Sequence, residues 1–240
     1  HVARVAGMQP AATPGLAAQA VVEGLDSEEI RVYAGGAVPR GFFGWVTPTE
    51  DGRSLVGVLG RHEPANALRS LMSSIAGSSP SGLTAAPLGI WGIPLRPAPR
   101  TYGDRLLMVG DAAGQVKPTT GGGIYYSLRS GDLAARALGE ALREDDLRAV
   151  SLKRYEDAWR SVLGRELRLG YMARGIYERL GERELGRLIR IAASNGFLSG
   201  DLSFEWHSDL VTRALSYKLL DGVLSPVRGI SSFISGRARV

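Results

Sequence analysis

The stretch Leu106–Ala135, LLMVGDAAGQVKPTTGGGIYYSLRSGDLAA, decides how this chain is read. It opens on a short apolar run, Leu106–Val109, which reads as a buried strand. Gly110–Asp111–Ala112–Ala113–Gly114 follows, with small residues that let other atoms approach the backbone. Pro118 and the triplet Gly121–Gly122–Gly123 come next, and a helical pattern begins at Ile124. Strand, acid-bearing loop and glycine-rich helix start form a cradle for a phosphorylated cofactor. An acid directly after an apolar strand accepts a sugar or polyol hydroxyl, so Asp111 is the leading binding residue. The plainer alternative is a turn in which Asp111 caps the backbone. Three glycines before a helix expose amide donors that stabilise negative charge developing on a ring packed against them. Gly122 and Gly123 are therefore the candidates closest to the chemistry. A flexible loop explains the triplet poorly, because each glycine costs entropy on folding.

Upstream, residues 30–60 read as antiparallel sheet. Ile30–Tyr33 and Gly41–Val46 are strands, Glu50–Arg53 is a turn, and Ser54–Leu59 returns as a third strand. Phe42, Phe43 and Trp45 put aromatic rings on both faces, one for a core and one for an apolar pocket. Gly41 and Gly44 point to close approach of something to this sheet. Val2–Gly7 reads as a helix end capped by Gly7, whereas Leu16–Leu25 suits strand or helix equally. Asp26 with Glu29 resembles a short capping turn. Glu63–Ala76 is an amphipathic helix, residues 77–82 are a loop, and Ala86–Leu95 is a strand with Trp91 near its middle. Arg96, Arg100 and Tyr102 lie just before the cradle, within reach of a phosphate.

Downstream, Ile124–Leu142 is a helix. Ser151–Leu180 is strongly periodic, but Gly164, Gly170 and Gly175 suggest two helices. Glu182–Ala193 and Leu210–Leu220 are further helices. The change near residue 143 separates a mixed sheet region from a helical one. Cysteine is absent from the 240 residues, which excludes disulfides and thiolate chemistry. His1, His62 and His207 have no metal-site spacing, and no metal is expected. The net charge of +5 suits an anionic ligand or peripheral contact with an anionic membrane, and no basic tract interleaved with aromatics points to nucleic acid. No run reaches transmembrane length. A reducing cytoplasm, with association at the inner membrane face, fits this composition.

Leu106–Ala135 resembles the second cofactor-binding segment of the geranylgeranyl reductase family, FAD-dependent flavoproteins of the aromatic-hydroxylase class. The resemblance implies that Gly110, Asp111 and Gly114 contact the ribityl and pyrophosphate part of FAD. It places Pro118, Gly121, Gly122 and Gly123 along the isoalloxazine, with Ile124 starting the helix aimed at it. Phe43–Gly44–Trp45–Val46–Thr47–Pro48 is similar to the family's aromatic–x–Trp–x–Phe–Pro motif, with Thr47 in place of Phe. Phe43, Trp45, Pro48 and Trp91 would then line a tunnel for an apolar isoprenoid or lipid-like substrate. The likeness covers roughly residues 30–195.

The implied fold class is α+β. An antiparallel substrate-domain sheet is joined to the strand–loop–helix part of a Rossmann-like FAD domain and a helical tail. The expected divisions are 1–20 (helix end and linker), 21–100 (substrate sheet), 101–142 (second FAD segment) and 143–240 (helical region). The family's N-terminal GxGxxG unit is absent from this sequence, so the chain is expected to be the C-terminal portion of a longer enzyme. The implied reaction saturates isoprenoid carbon–carbon double bonds with hydride from reduced flavin, with NADPH or another donor supplying electrons. Competing readings are a flavin monooxygenase or halogenase on the same fold, a fragment without activity, and a generic phosphate binder.

Overall fold

The computed structural model describes residues 2–11, 14–25, 28–77, 84–85 and 89–194. The turn expected at Asp26, the loop beyond Gly77, the helix expected at Leu210–Leu220, and His1 and His207 lie wholly or partly outside these residues.

A short helix, α1 (Val2–Val5), ends as expected on Gly7, which takes φ +68°. The Gly7 and Met8 amides donate back to Arg4 and Ala3 carbonyls at 3.0 and 2.8 Å, closing the helix by the glycine route. The ambiguous segment Leu16–Leu25 is resolved as the central strand, β1 (Pro14–Glu23). It is rich in alanine because both of its faces are covered, and Ala17, Ala18 and Ala20 are buried. The other strands are β2 (Arg31–Tyr33), β3 (Gly44–Pro48), β4 (Ser54–Gly60), β5 (Thr84–Ala85) and β6 (Gly89–Pro94). The order is β2–β3–β4–β1, with β5 and β6 both on the far edge of β1, and every pair is antiparallel. The β3–β4 hairpin turns where expected. Gly52 takes φ +76°, and Asp51 is bonded to Arg53.

One face of this sheet is closed by α2 (Pro64–Ala76). Val22, Val46, Val56 and Val58 meet Leu68 and Leu71 there. The second strand begins at Gly44, not Gly41. Gly41 takes φ +75° and the Phe42 amide donates to Pro39, so the chain turns before it extends. Both glycines admit protein rather than ligand. A Cβ on Gly44 would sit 2.5 Å from Leu71 Cδ2, and one on Gly41 would sit 2.5 Å from Glu178 Cα.

After the sheet, β7 (Tyr102–Gly103) and β8 (Leu106–Leu107) form a small hairpin through Arg105, which takes φ +56°. The expected buried strand Leu106–Val109 is thus only two half-buried residues, paired antiparallel with β7. Among the described residues no strand pair is parallel, so the Rossmann-like element appears only as β8, a one-turn 3-10 helix (Gly110–Ala113) and α3 (Ile124–Arg143).

α4 (Ala149–Tyr177) packs on α3, joining Tyr155, Trp159, Leu163 and Leu167 to Tyr126, Ala134 and Ala137. It is one helix, not two. Each glycine costs about 1 kcal/mol relative to alanine, whereas each large apolar side chain buried contributes about 1.5–3 kcal/mol. Burial of four such residues outweighs three glycines. The last described helix is α5 (Glu182–Ser194). No helix among the described residues is long and apolar enough to cross a membrane.

Candidate functional site

The acid loop is held from beneath by a buried relay. The Gly110 amide donates to Gln115 Oε1 (2.8 Å), Gln115 Nε2 donates to the Tyr155 hydroxyl (3.0 Å), and that hydroxyl donates to the Met108 carbonyl (2.8 Å). Burial pushes the Tyr155 hydroxyl up to about 12, against a partly offsetting bond from Gln115. Gly110 and Gly114 are turned inward. A Cβ on Gly110 would lie 2.8 Å from Ser127 Oγ, and one on Gly114 would overlap the Arg96 carbonyl. Their amides are also committed, Gly110 to Gln115 and Gly114 to the Asp111 carbonyl. These two glycines therefore shape the turn, and their amides are engaged within it.

Asp111 and Ala112 are the exposed members of the turn. The carboxylate caps nothing: the residue at the cap position is Val109, and no side chain bonds the turn's first amides. The capping alternative for Asp111 is not what the structure shows. Instead the carboxylate lies over the glycine loop, and a Cβ on Gly123 would be 3.1 Å from Asp111 Oδ1. Acid loop and glycine loop thus meet at one point.

The glycine loop spends two of its three amides on itself. Gly121 N donates to the Lys117 carbonyl (2.9 Å) and Gly122 N to Thr120 Oγ1 (3.3 Å). Of the triplet, Gly123 is the one left to offer an amide to a ligand, at the start of α3, which has no side-chain cap. This narrows the expectation for Gly121 and Gly122. Pro118 is buried against α4, where a Cβ on Gly170 would be 3.1 Å from its Cδ. It fixes the loop and does not face outward. Ile124, by contrast, is 82% exposed at the open end of the cradle, and Leu128 one turn later is 71% exposed.

Below the loop, Tyr126 is hydrogen-bonded to Glu166, and its hydroxyl is pushed upward, first by burial and then by the Glu166 charge. The Lys117 ammonium lies 5.6 Å from the Tyr126 ring centre.

The second sheet face is an apolar floor. Gln19 pairs with Gly57 and Gly57 with Trp45, while Ala17 pairs with both Leu59 and Trp91. Paired residues share a face, so Trp45, Leu59, Trp91 and Ile93 all lie on it. Gly57 seats the Trp45 indole, since a Cβ there would overlap the ring. Gly89 does the same for Trp91, at 3.3 Å. Trp45 Nε1 donates to Gln19 Oε1 (3.0 Å), and Phe43 stands 5.8 Å from Trp45 between ring centres. The glycine loop adjoins this floor: a Cβ on Gly121 would be 3.3 Å from Ile93 Cδ1 and 3.7 Å from Leu59 Cδ2. Phe43 and Trp45 are therefore brought together, and Trp91 shares their face from the far side of β4 and β1. Pro48 does not, because strand alternation puts it with Val46 on the α2 side.

Arg174 ties loop to sheet. It is 1% exposed, stacked 3.8 Å from the centre of the Phe42 ring. Its Nη1 donates to the Pro118 carbonyl (3.0 Å), Nη2 to the Gly41 carbonyl (2.9 Å) and Nε to Glu178 Oε1 (2.9 Å). Arg61 Nη2 donates to the same Glu178 oxygen at 2.7 Å. Burial lowers the Arg174 proton affinity, and Glu178 opposes that. Sequence reading missed Gln19, Gly57, Gln115, Tyr155 and Arg174. Only Gly57, a glycine inside an apolar strand, carried a local signal.

Arg96 and Arg100, expected near a phosphate in the cradle, stack instead on Tyr171 and Tyr102. Among the described residues, no cluster of His, Asp or Glu is arranged to hold a metal ion.

No family model matches the chain. It is 36% identical over 203 residues to digeranylgeranylglycerophospholipid reductase 2 of Methanopyrus kandleri, covering 78% of this chain and 51% of that protein. It is 33% identical over 196 residues to digeranylgeranylglycerophospholipid reductase 2 of Methanothermobacter thermautotrophicus, covering 79% and 51%. The chain spans about half the length of these curated relatives. Among solved structures, a geranylgeranyl bacteriochlorophyll reductase-like protein of Thermoplasma acidophilum superposes with a TM-score of 0.71 at 21% identity, over 88% of this chain and 55% of that one. In sequence the chain is homologous to digeranylgeranylglycerophospholipid reductases, and in fold it matches the corresponding part of a geranylgeranyl reductase-like protein.

Proposed function

We propose that this chain supplies the flavin-facing loops and the substrate floor of an FAD-dependent reductase that saturates carbon–carbon double bonds of isoprenoid chains. The observation that carries the reading is the junction at Gly121, where the loop that carries Gly123 and adjoins the exposed Asp111 meets Leu59 and Ile93, on the sheet face that also carries Trp45 and Trp91. The residues fit FAD. Asp111 offers a carboxylate to a ribityl hydroxyl, Gly123 and the uncapped start of α3 offer amides to an electron-rich edge, and Ile124 offers apolar contact. Bound and reduced, FAD supplies the hydride for such a reduction.

The chain's own part is orientation and exclusion of water. The floor removes an apolar chain from solvent, at about 25 cal/mol per Å² of apolar area. Trp45 is fixed by Gln19 and Gly57, so its ring holds a constant place relative to the glycine loop. Arg174 keeps that loop at a constant height above the sheet. In this reading residues 1–20 end a helix of the FAD domain, 21–100 form the substrate domain, 101–142 the second FAD segment and 143–240 a helical region. The substrate is a prenyl lipid reached at the inner face of a membrane from the cytoplasm. NADPH or another donor reduces the flavin.

The test uses the whole protein, loaded with FAD and reduced without oxygen, then mixed with a digeranylgeranyl lipid. The expected result is flavin reoxidation with a gain of two hydrogens per double bond. No reoxidation by any prenyl compound, with rapid turnover on oxygen and an aromatic substrate, would replace the reading with a monooxygenase.

A further inference from the structure

Arg96 is a basic residue that the cradle does not use. The backbone of residues 96–98 lies against the acid turn, with the Ala98 amide donating to the Ala113 carbonyl at 2.9 Å. The Arg96 side chain reaches α4, where its guanidinium stacks 4.1 Å from the centre of the Tyr171 ring. There it lines a groove of about 720 Å³ that also holds Arg160, Arg168, Leu167 and Met172.

The charges of this groove do not cancel. Arg160 is spent on Glu156 (3.1 Å), the Pro99 carbonyl (3.1 Å) and the Trp159 ring (4.5 Å). Asp157, the acid in the lining, is paired with Lys153 at 2.5 Å. Arg96 and Arg168 have no carboxylate or hydrogen-bond acceptor among the described residues. A guanidinium placed over an aromatic ring is positioned by the ring without using up its N–H donors, which suit phosphate oxygens. The volume falls in the range of small-molecule sites, about 300–1,000 Å³, well above what a bare phosphate needs. Tyr171, buried Leu167 and half-exposed Met172 supply apolar surface beside the cations, and methionine adapts to irregular apolar shapes.

We propose that this groove binds a phosphate ester carried on an apolar body, with Arg96 and Arg168 holding the phosphate and Tyr171, Leu167 and Met172 receiving the body. The phosphate has two sources of the same chemistry, a soluble prenyl phosphate or the headgroup of a membrane phospholipid. The choice of a prenyl body rests on the isoprenoid reading above, whereas the phosphate-holding pair Arg96 and Arg168 rests on the groove alone.

The test compares the whole protein with the double variant Arg96→Gln, Arg168→Gln, by calorimetric titration with geranylgeranyl diphosphate, geranylgeraniol and inorganic pyrophosphate. Flotation with phosphatidylglycerol and phosphatidylcholine vesicles forms the second arm. The expected result is diphosphate binding at least tenfold tighter than the alcohol or bare pyrophosphate, weakened at least tenfold in the variant. Flotation with anionic vesicles alone, lost in the variant, supports the same site with the membrane as its source. Equal binding by variant and parent in both arms overturns the proposal, as does a preference for the alcohol. The melting temperature checks that the variant is folded. FAD uptake by the variant is expected to match the parent, so failure here and failure of the reductase reading are separately visible.

Discussion

Replacing Arg174 with leucine would test whether one side chain joins the glycine loop to the sheet. The substitution leaves the buried carbonyls of Pro118 and Gly41 without donors, although Glu178 keeps its bond to Arg61 at 2.7 Å. Each orphaned group costs about 1–3 kcal/mol, and the lost stacking on Phe42 costs up to about 2 kcal/mol in a desolvated place. Relief from burying a charge offsets part of this, so the expected net loss is about 3–5 kcal/mol, the range for breaking a buried ion pair. With a urea slope of about 2 kcal/mol/M, the unfolding midpoint falls by about 1.5–2.5 M. Arg174→Lys keeps the charge but loses the planar fork. A single ammonium serves Pro118 or Gly41 but not both with good geometry, and about half of the loss remains. Hydrogen exchange at the Gly121 amide, bonded to Lys117 at 2.9 Å, should quicken in both variants. A leucine variant within 1 kcal/mol of the parent, or a lysine variant no better than leucine, would refute the clamp.

Three further outcomes follow from the geometry. Gly57→Ala drives the Trp45 indole off the sheet and breaks its bond to Gln19, which tryptophan fluorescence reads as a red shift; an unchanged spectrum contradicts the seat. Gly114→Ala meets both φ +69° and the Arg96 carbonyl, and should lower stability by more than 2 kcal/mol by the cost of strain and overpacking; a neutral result in thermal unfolding would disprove the inward packing. Burial raises the Tyr155 hydroxyl from the ordinary tyrosine value of 10.0 to about 12 in the folded chain. The folded state therefore holds that proton more tightly, and the stabilisation is present below pH 10 and lost as pH rises towards 12. The fall in the urea midpoint over that interval should be smaller in Tyr155→Phe, and an identical fall would show that the relay does not titrate in the unfolding equilibrium.

How much was legible in the sequence depended on distance along the chain. The Gly7 cap, the Asp51–Gly52 turn, α2 and α3 follow from residues a few positions apart, and local chemistry sufficed for each. The meeting of acid loop and glycine triplet was legible too, because both lie within fourteen residues, from Gly110 to Gly123. The roles of individual glycines were not. Glycine before a helix reads as an open donor, yet Gly114 is small because the Arg96 backbone presses on it, and Gly41 because Glu178 does. Those partners are remote in sequence or hidden behind a turn. Pro48 was misplaced for a related reason: a motif names residues in order, whereas a strand deals them to alternate faces. Arg174 gave no signal at all, since a lone arginine on a long helix reads as solvated until the fold buries it.

The length of α4 has a consequence for how such a chain can change. The helix supports the acid loop from Tyr155, through Gln115, and touches the glycine loop at Gly170, fifteen positions further on. At 1.5 Å per residue that interval is a gauge about 22 Å long, and it fixes the spacing of the two points from which α4 supports loops that themselves meet at Asp111 and Gly123. Inserting or deleting one residue inside it would turn one contact about 100° away from the other. Substitutions can accumulate along that span, and the surface loops can lengthen, but the count from 155 to 170 is a dimension of the machine.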